Sequence, residues 1–439
     1  MSDTIVAIST PLGTGGVGVI RLSGDKSERI LKKIFTPQKA QEFTPRKMVF
    51  GKVSFNNITD NCLAVVFNAP NSFTGEDVVE IQMHGGIKLL QETVSRLISL
   101  GARMALPGEF SKRAVLNGKM DITEAEGLID MINARSVCQL QVASSQMGGE
   151  LHKKIVEMQT TLTNLLATIE VALDFPEHEE TFAEAETKEK IPKLISLLKT
   201  LCTTQSVGTK IKNGVSVALV GKANVGKSSL LNALVGFDRA IVTNIAGTTR
   251  DTICESYEYN GVIFNIVDTA GLRQTDDPVE KEGIKRSVQT INECDITLKV
   301  WDSDEIMQDS DEILSHTPKN FINVLNKCDL VLTTKFPFDI MVSAKKNTNI
   351  DKLKQLIYDK TIDKNLLSNE VVITNLRHGE LLQKTLKTLE QAESDLDIVS
   401  LDCTAVLLKQ AWDFLGQITG ETSNEKIINT IFSKFCLGK

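Results

Sequence analysis

The sequence lacks an excess of positive charge. Its 439 residues carry 49 Lys and Arg against 56 Asp and Glu, a formal net charge of −7. No global basic field draws it to nucleic acid, so such a partner has to meet a local basic patch or come through another protein. Long apolar runs are missing too. None approaches the roughly 20 residues of a membrane-spanning helix, and the opening MSDTIVAIST has neither the basic start nor the apolar stretch of a signal peptide. The eight cysteines include no Cys-x-x-Cys pair, which argues against a zinc knuckle or a disulfide scaffold. The expectation is a cytoplasmic protein with no membrane span and reduced, structural thiols. No internal repeat or low-complexity linker marks the chain.

What is present is an ordinary globular composition, 41% hydrophobic and 24% charged, at a length that suggests about three domains. Up to residue 118 the chain is rich in short strand-like runs, such as Thr4–Ile8, Val17–Leu22, Cys62–Phe67 and Val78–Met83. From Asp121 it turns helical. Asp121 can cap a helix with Glu124 three residues on, and Ala125, Leu128, Ile129 and Ile132 share a face. Leu162, Leu165, Leu166 and Ile169 mark a second helix. Near Gly214 strands begin to alternate with helices. From about residue 372 helices resume, with Leu382, Leu386 and Leu389, then Leu408, Ala411, Trp412 and Leu415. Such stripes read as core. The fold class is therefore multidomain α/β and α: a β-rich N-terminal domain, then a helical domain with an α/β domain inserted into it.

Residues 221–229 read GKANVGKSS, between the strand-like run Val215–Val220 and a helical start at Ser229–Val235. In that context GxxxxGK[ST] is a phosphate-binding loop. Glycines let backbone N–H groups wrap a phosphate, and the helix N-terminus adds its dipole. Lys227 is placed to neutralise the β- and γ-phosphates, and Ser228 offers a hydroxyl to Mg2+. Asn224, Val225, Gly226 and Ser229 complete the loop's candidate contacts with the nucleotide.

The base is named by Asn326-Lys327-Cys328-Asp329, after the run Phe321–Leu325. A carboxylate at Asp329 accepts from N1–H and the 2-amino group of guanine, a donor pair that adenine lacks. Ser343-Ala344-Lys345 is the expected contact to the guanine oxygen. Asp268-Thr269-Ala270-Gly271 ends the run Val262–Val267, with Asp268 placed behind Mg2+ and Gly271 N–H at the γ-phosphate. Asn260-Gly261 is a hairpin signal, so one antiparallel pair joins an otherwise parallel, Ras-like sheet. In the segment Thr243–Asp251 the threonines are candidates for closing on Mg2+ and the γ-phosphate, and Thr243, Asn244, Ile245, Ala246, Gly247, Thr248 and Thr249 are candidate GTP contacts. Ras-type enzymes carry a water-orienting glutamine directly after this DTAG motif. Leu272 stands there, so another group must hold the water. Glu280 is one of several acids nearby (Asp276, Asp277, Glu282), and spacing does not choose among them.

The whole chain resembles the MnmE/TrmE family of tRNA-modification GTPases. The likeness rests on DTIVAISTPLGTGGVGVIRLSG at residues 3–24, NSFTGEDVVEIQMHGG at 71–86, PGEFSKRAVLNGKMDITEAE at 107–126, and the tail Cys436-Leu437-Gly438-Lys439. The resemblance implies four stretches. Residues 1–118 bind a tetrahydrofolate one-carbon derivative (5-formyl or 5,10-methylene form) and mediate homodimerisation. Residues 119–213 and 372–439 form the helical domain, and 214–371 the G domain. It implies K+ ligation by Asn224, Thr243, Ile245 and Thr248, and Thr249 beside Ser228 on Mg2+. Glu280 matches the family's catalytic glutamate. Arg21, Glu80 and Lys119 match its folate contacts, with Lys439 near the same site. Cys436 is a candidate nucleophile or acid in the modification, or a residue that shapes the pocket. The implied activity is K+-stimulated GTP hydrolysis that supports aminomethyl or carboxymethylaminomethyl transfer to C5 of the tRNA wobble uridine. The implied partner is the flavoprotein MnmG/GidA, in a heterotetramer, with FAD only on that partner. Two alternatives stay in view: a GTP switch in ribosome assembly similar to Era or EngA, though no KH-like Gly-x-x-Gly loop is found, and a folate-dependent transfer protein with an accessory G domain. His84, before Gly-Gly, reads as a turn residue.

Overall fold

The computed structural model describes residues 3–39, 42–222, 224–236, 253–268, 291–302, 320–330, 337–367, 369–422, 425–433, 435–436 and 438. The chain forms two compact units, one of residues 1–129, 147–160 and 415–439, the other of 130–146 and 161–414.

The first unit is built on a seven-stranded sheet in the order β3-β4-β5-β6-β2-β1-β7. The strands are β1 (Ile5–Ile8), β2 (Gly15–Ser23), β3 (Phe35–Pro37), β4 (Val49–Phe55), β5 (Ile58–Phe67), β6 (Val78–Gly85) and β7 (Arg103–Met104). All pairs are antiparallel except β1 with β7. In β4 buried and exposed residues alternate strictly, as a sheet with one covered face requires. Helices α1 (Ser27–Leu31) and α2 (Ile87–Ser99) supply Ile30, Leu31, Leu90, Val94 and Leu97 to the core against Val6, Ile20, Leu22 and Ile81. Ile5 and Ala7 point the other way and pack with Phe110 of α3 (Glu109–Leu116). Helix α4 (Ile122–Asn133) starts as the sequence predicts: Asp121 Oδ1 accepts from Glu124 N–H at 3.0 Å, and Glu124 Oε2 accepts from Asp121 N–H at 2.9 Å. Its buried set differs from the expected stripe. Ile122, Ala125 and Gly127 are buried, whereas Ile132 is 37% exposed.

In the second unit the sheet runs β13-β12-β11-β8-β10-β9, with β8 (Val215–Val220), β9 (Ile253–Tyr259), β10 (Val262–Asp268), β11 (Ile296–Trp301), β12 (Phe321–Leu325) and β13 (Ile340–Met341). Only the β9–β10 pair is antiparallel. It turns through Asn260 (φ 49°) and Gly261 (φ 78°), the two left-handed positions of a type I′ turn. This is the Ras-like arrangement. Strands β8 and β11 are buried almost throughout, as parallel strands covered on both faces must be. The helices α7 (Pro176–Asn213), α8 (Lys227–Val235) and Ile350–Thr361 place Val207, Ile211, Leu230, Leu234, Leu353 and Ile357 in the core of this sheet, and the chain also forms α5 (Val137–Met147), α6 (Glu150–Asp174), Leu376–Asp395 and Leu401–Thr419. Leu162, Leu165, Ile169, Leu382, Leu408, Ala411 and Leu415 are fully buried, as their spacing predicts. Among the described residues no helix is long and apolar enough to cross a membrane.

Candidate functional site

The loop after β8 turns back through Asn224 (φ 67°) and Gly226 (φ 94°) and enters α8 at Lys227. Apolar Val225 is buried beneath it, and Leu230, Leu231 and Leu234 seat the helix in the core. The N-terminal N–H groups of α8 are thus held at the C-terminal edge of a parallel sheet, where anionic ligands bind. Lys227 Nζ donates to the carbonyls of Gly221 and Lys222 at 2.8 and 2.7 Å. Ser228 and Ser229 lie in the first helical turn.

Three loops meet at Asn326, which is 2% exposed. Its Nδ2 donates to the Val225 carbonyl at 3.0 Å, and its Oδ1 accepts from Ala344 N–H at 3.1 Å. A Cβ on Gly226 would run into Asn326 Nδ2, so glycine is demanded there by close approach as well as by its positive φ. Lys327 Nζ reaches the Asn224 carbonyl and Asp302 Oδ2, both at 2.8 Å. Ser343 Oγ donates to Asp329 Oδ1 at 2.7 Å and holds that carboxyl below the usual range. Asp329 therefore stays ionised, an acceptor for a ligand with paired N–H donors. Lys345 follows at the surface. Asp268 ends β10 beside Leu219 of β8.

The predicted contacts in Thr243–Thr249, together with Thr269, Ala270, Gly271, Glu280 and Lys439, lie outside the described residues.

In the first unit, Arg21 and Glu80 face each other across β2 and β6. Arg21 Nε and Nη2 both meet Glu80 Oε1, at 2.9 and 2.8 Å. The guanidinium lies 5.4 Å from the Phe73 ring centroid and 5.8 Å from that of Phe110. Sequence reasoning did not single out these aromatics, though both lie in stretches it quoted. Charge holds the Phe73 loop. Glu76 accepts from Ser23 Oγ at 2.7 Å and from Arg113 at 2.9 Å; Arg113 also pairs with Asp3 and Glu109, and Glu109 with Arg103. Asn117 Nδ2 donates to the Thr74 carbonyl at 2.7 Å. Lys119 is exposed, its stem running beside Gly75 of that loop. The predicted trio is thus an adjoining pair plus a lysine on the neighbouring loop.

The tail lies on the same unit. Phe432 and Phe435 are buried with Ala125, their rings 5.0 Å apart. The Cys436 carbonyl accepts from Gly108 N–H at 3.4 Å, and the Gly438 carbonyl from Ser9 Oγ at 3.3 Å. The Cys436 side chain is a free, exposed thiol.

Two features differ from the sequence expectation. His84 lies near the end of β6, and its Nδ1 meets Asp60 Oδ1 at 2.5 Å; it is a strand residue rather than a turn residue. The sequence reading found no Gly-x-Gly-x-x-Gly fingerprint after a strand, yet Gly13, Gly15 and Gly18 have that spacing after β1. Gly13 lies between β1 and β2, whereas Gly15 and Gly18 lie in β2 itself; the run opens no helix, so no helix N-terminus faces a phosphate there.

Residues 4–119 match the model for the N-terminus of the GTP-binding protein TrmE, and residues 122–436 match the MnmE helical domain. A tRNA modification GTPase MnmE of Streptococcus thermophilus (strain CNRZ 1066) is 41% identical over 450 residues, covering 100% of this chain and 98% of its own. Its namesake in Caldicellulosiruptor saccharolyticus (strain ATCC 43494 / DSM 8903 / Tp8T 6331) is 40% identical, covering 100% and 99%.

Proposed function

The chain belongs to the MnmE/TrmE family of tRNA modification GTPases, and on that footing we propose that it couples K+-stimulated GTP hydrolysis to modification of the tRNA wobble uridine at C5. The added group is aminomethyl or carboxymethylaminomethyl, with its carbon from a tetrahydrofolate derivative. The working form is a cytoplasmic homodimer joined by an MnmG/GidA-type flavoprotein. Residues 1–118 serve the folate, 214–371 the nucleotide, and the helical stretches 119–213 and 372–439 link them.

The observation that carries this reading is the clip at Asn326. One buried amide ties the phosphate loop at Val225 to the base loop at Ala344, so phosphates and guanine are read by one rigid frame. Asp329 accepts from the base, Lys227 and the start of α8 bind phosphate, and Glu280 orients the attacking water. The Ser228 hydroxyl suits Mg2+, with Thr249 beside it, and the amide of Asn224 suits K+, with Thr243, Ile245 and Thr248. Bound there, these ions offset the charge that builds on the phosphates, as an arginine finger does elsewhere. Arg21, Glu80 and Lys119, with Lys439 nearby, hold the folate, and Cys436 serves the transfer. The Arg21–Glu80 ion pair, with the guanidinium beside the Phe73 and Phe110 rings, supports a ligand that offers both a polar edge and a flat ring.

The test is nucleoside mass spectrometry of tRNA from cells lacking this gene. The C5-modified wobble uridine should vanish and return with the intact gene, but not with Cys436→Ser. Normal levels without the gene would overturn the reading.

A further inference from the structure

The acidic net charge hides a local excess of the other sign. Residues 26–52 carry eight Lys and Arg against two Glu, a net +6, whereas the other 412 residues carry 41 against 54, a net −13. All eight cations are exposed. Lys26 and Arg29 stand at α1. Lys32 and Lys33 lead into the edge strand β3, and Lys39 follows it. Arg46 and Lys47 lead into β4, and Lys52 projects from β4 opposite Thr36 of β3. From Lys33 to Lys39 this rim spans about 20 Å, at about 3.3 Å per residue. Lys32 meets Glu28 at 2.7 Å. The seven cations other than Lys32 form no ion pair among the described residues; Arg46 Nη2 donates to the Asn71 carbonyl at 3.1 Å.

Edge protection accounts for part of this charge. A bare edge strand is blunted by lysine and proline, and β3 holds Pro37 with Lys52 on the adjoining strand. It does not account for the cations at α1 or in the approach to β4. Like charges held this close repel one another, so the rim suits an anion long enough to span it. Phe50 adds a second feature. It is 46% exposed, on the same outward row of β4 as Lys52. Cations beside an open ring suit a strand of phosphates with unpaired bases. Register adds a third. Phe50 pairs with Leu63 of β5, and Leu63 with Gln82 of β6, two residues from Glu80. The row therefore shares its face of the sheet with Arg21 and Glu80, two strands or about 10 Å away.

We propose that this rim binds the phosphate backbone of tRNA and that Phe50 stacks on one of its unpaired bases. The proposal rests on the chain's membership of the tRNA modification GTPases.

The experiment measures tRNA binding by the purified full-length protein over a series of KCl concentrations. Lys33→Gln, Lys39→Gln and Lys52→Gln are combined in one chain. Its affinity at low salt should fall about 100-fold, and the slope of log affinity against log salt should flatten by about three, one for each lost phosphate contact. Phe50→Ala should lower the affinity about tenfold and leave the slope unchanged. Lys33→Arg, Lys39→Arg and Lys52→Arg together should keep native binding. Melting temperature and GTP hydrolysis should match the native protein in every variant. Unchanged affinity and slope in the glutamine variant would overturn the proposal. So would an equal loss in the arginine variant, because charge would then not be what binds. Native tRNA binding by the glutamine variant, with the flavoprotein partner lost, would make the rim a protein surface and overturn it too. A native protein that binds no tRNA at low salt, from a gene that still restores the modified uridine, defeats the rim alone. A gene that restores none defeats the reading beneath it.

Discussion

Around Asn326 a single neutral amide joins the phosphate loop to the base loop. Around the Phe73 loop the joining is done by five charged side chains: Asp3, Glu76, Arg103, Glu109 and Arg113. The two solutions differ in what can break them. A buried amide is indifferent to salt and to pH, but it is strict about shape. It adds no charge of its own beside Lys227 and the start of α8. An ion network at the rim of a sheet tolerates small displacements, yet it weakens with ionic strength and with acid. The nucleotide site and the tail site also fall in different compact units, so each should fail without the other.

The sharpest separation comes from Asp329→Asn. The base-reading carboxylate becomes an amide that suits xanthine, whose C2 oxygen accepts where guanine donates. We expect the preference between GTP and xanthosine triphosphate to move by on the order of 10^4-fold, the scale of a lost buried donor–acceptor match. Binding of a tetrahydrofolate derivative should not change. Unaltered GTP affinity would sink the assignment of Asp329, and lost folate binding would break the independence of the two sites.

A smaller effect, about 100-fold in rate by analogy with one lost transition-state contact, is expected from cation exchange. KCl should stimulate GTP hydrolysis well beyond NaCl, and Asn224→Ala should erase the difference. Equal rates in the two salts for the native protein would defeat the K+ assignment.

How far each site can be read from sequence depends on the same contrast. The proposed nucleotide site is made of short contiguous motifs whose strand–loop–helix settings are local, so the loop between β8 and α8 that carries Lys227 and Ser228 was legible one motif at a time. The clip was not. Asn326 Nδ2 reaches Val225 across 101 residues of chain, and no periodicity reports such a contact. The proposed role of the tail came only from family resemblance. Ser9 meets Gly438 across 429 residues, and neither the positive φ of Gly438 nor the crowding at Ile8 leaves a mark in a local pattern. The exposure of Ile132 had the same source, since a helical stripe says which residues share a face and not how much of that face is covered.

Asn326→Ala should weaken nucleotide binding and lower the unfolding transition of the second unit. The Ala344 N–H and the Val225 carbonyl lose their partner, at a cost of about 2 kcal/mol. The transition of the first unit, followed by hydrogen exchange at β2 and β6, should stay in place. A shift in both units would show that the clip supports more than its own loops.

The smallest expected effect tests the ionic side. The hydrogen bond from Arg103 chiefly lowers the Asp3 carboxyl from 3.8 to about 2. A carboxyl whose folded pKa is depressed stabilises the fold above its unfolded value and loses that contribution as pH falls through the folded one. Asp3 is 54% exposed, so the pair should contribute less than about 1 kcal/mol at neutral pH. Asp3→Asn should therefore lower the first unit's melting temperature slightly at pH 7, and more at low than at high ionic strength. Between pH 3.8 and about 2 the gap between native and variant should close, because the native residue is then protonated too. The second unit should melt alike in both proteins throughout. A gap that persisted undiminished at the acid end would mean that Asp3 acts by packing and not by charge, and the contrast between the two sites would have to be drawn without it.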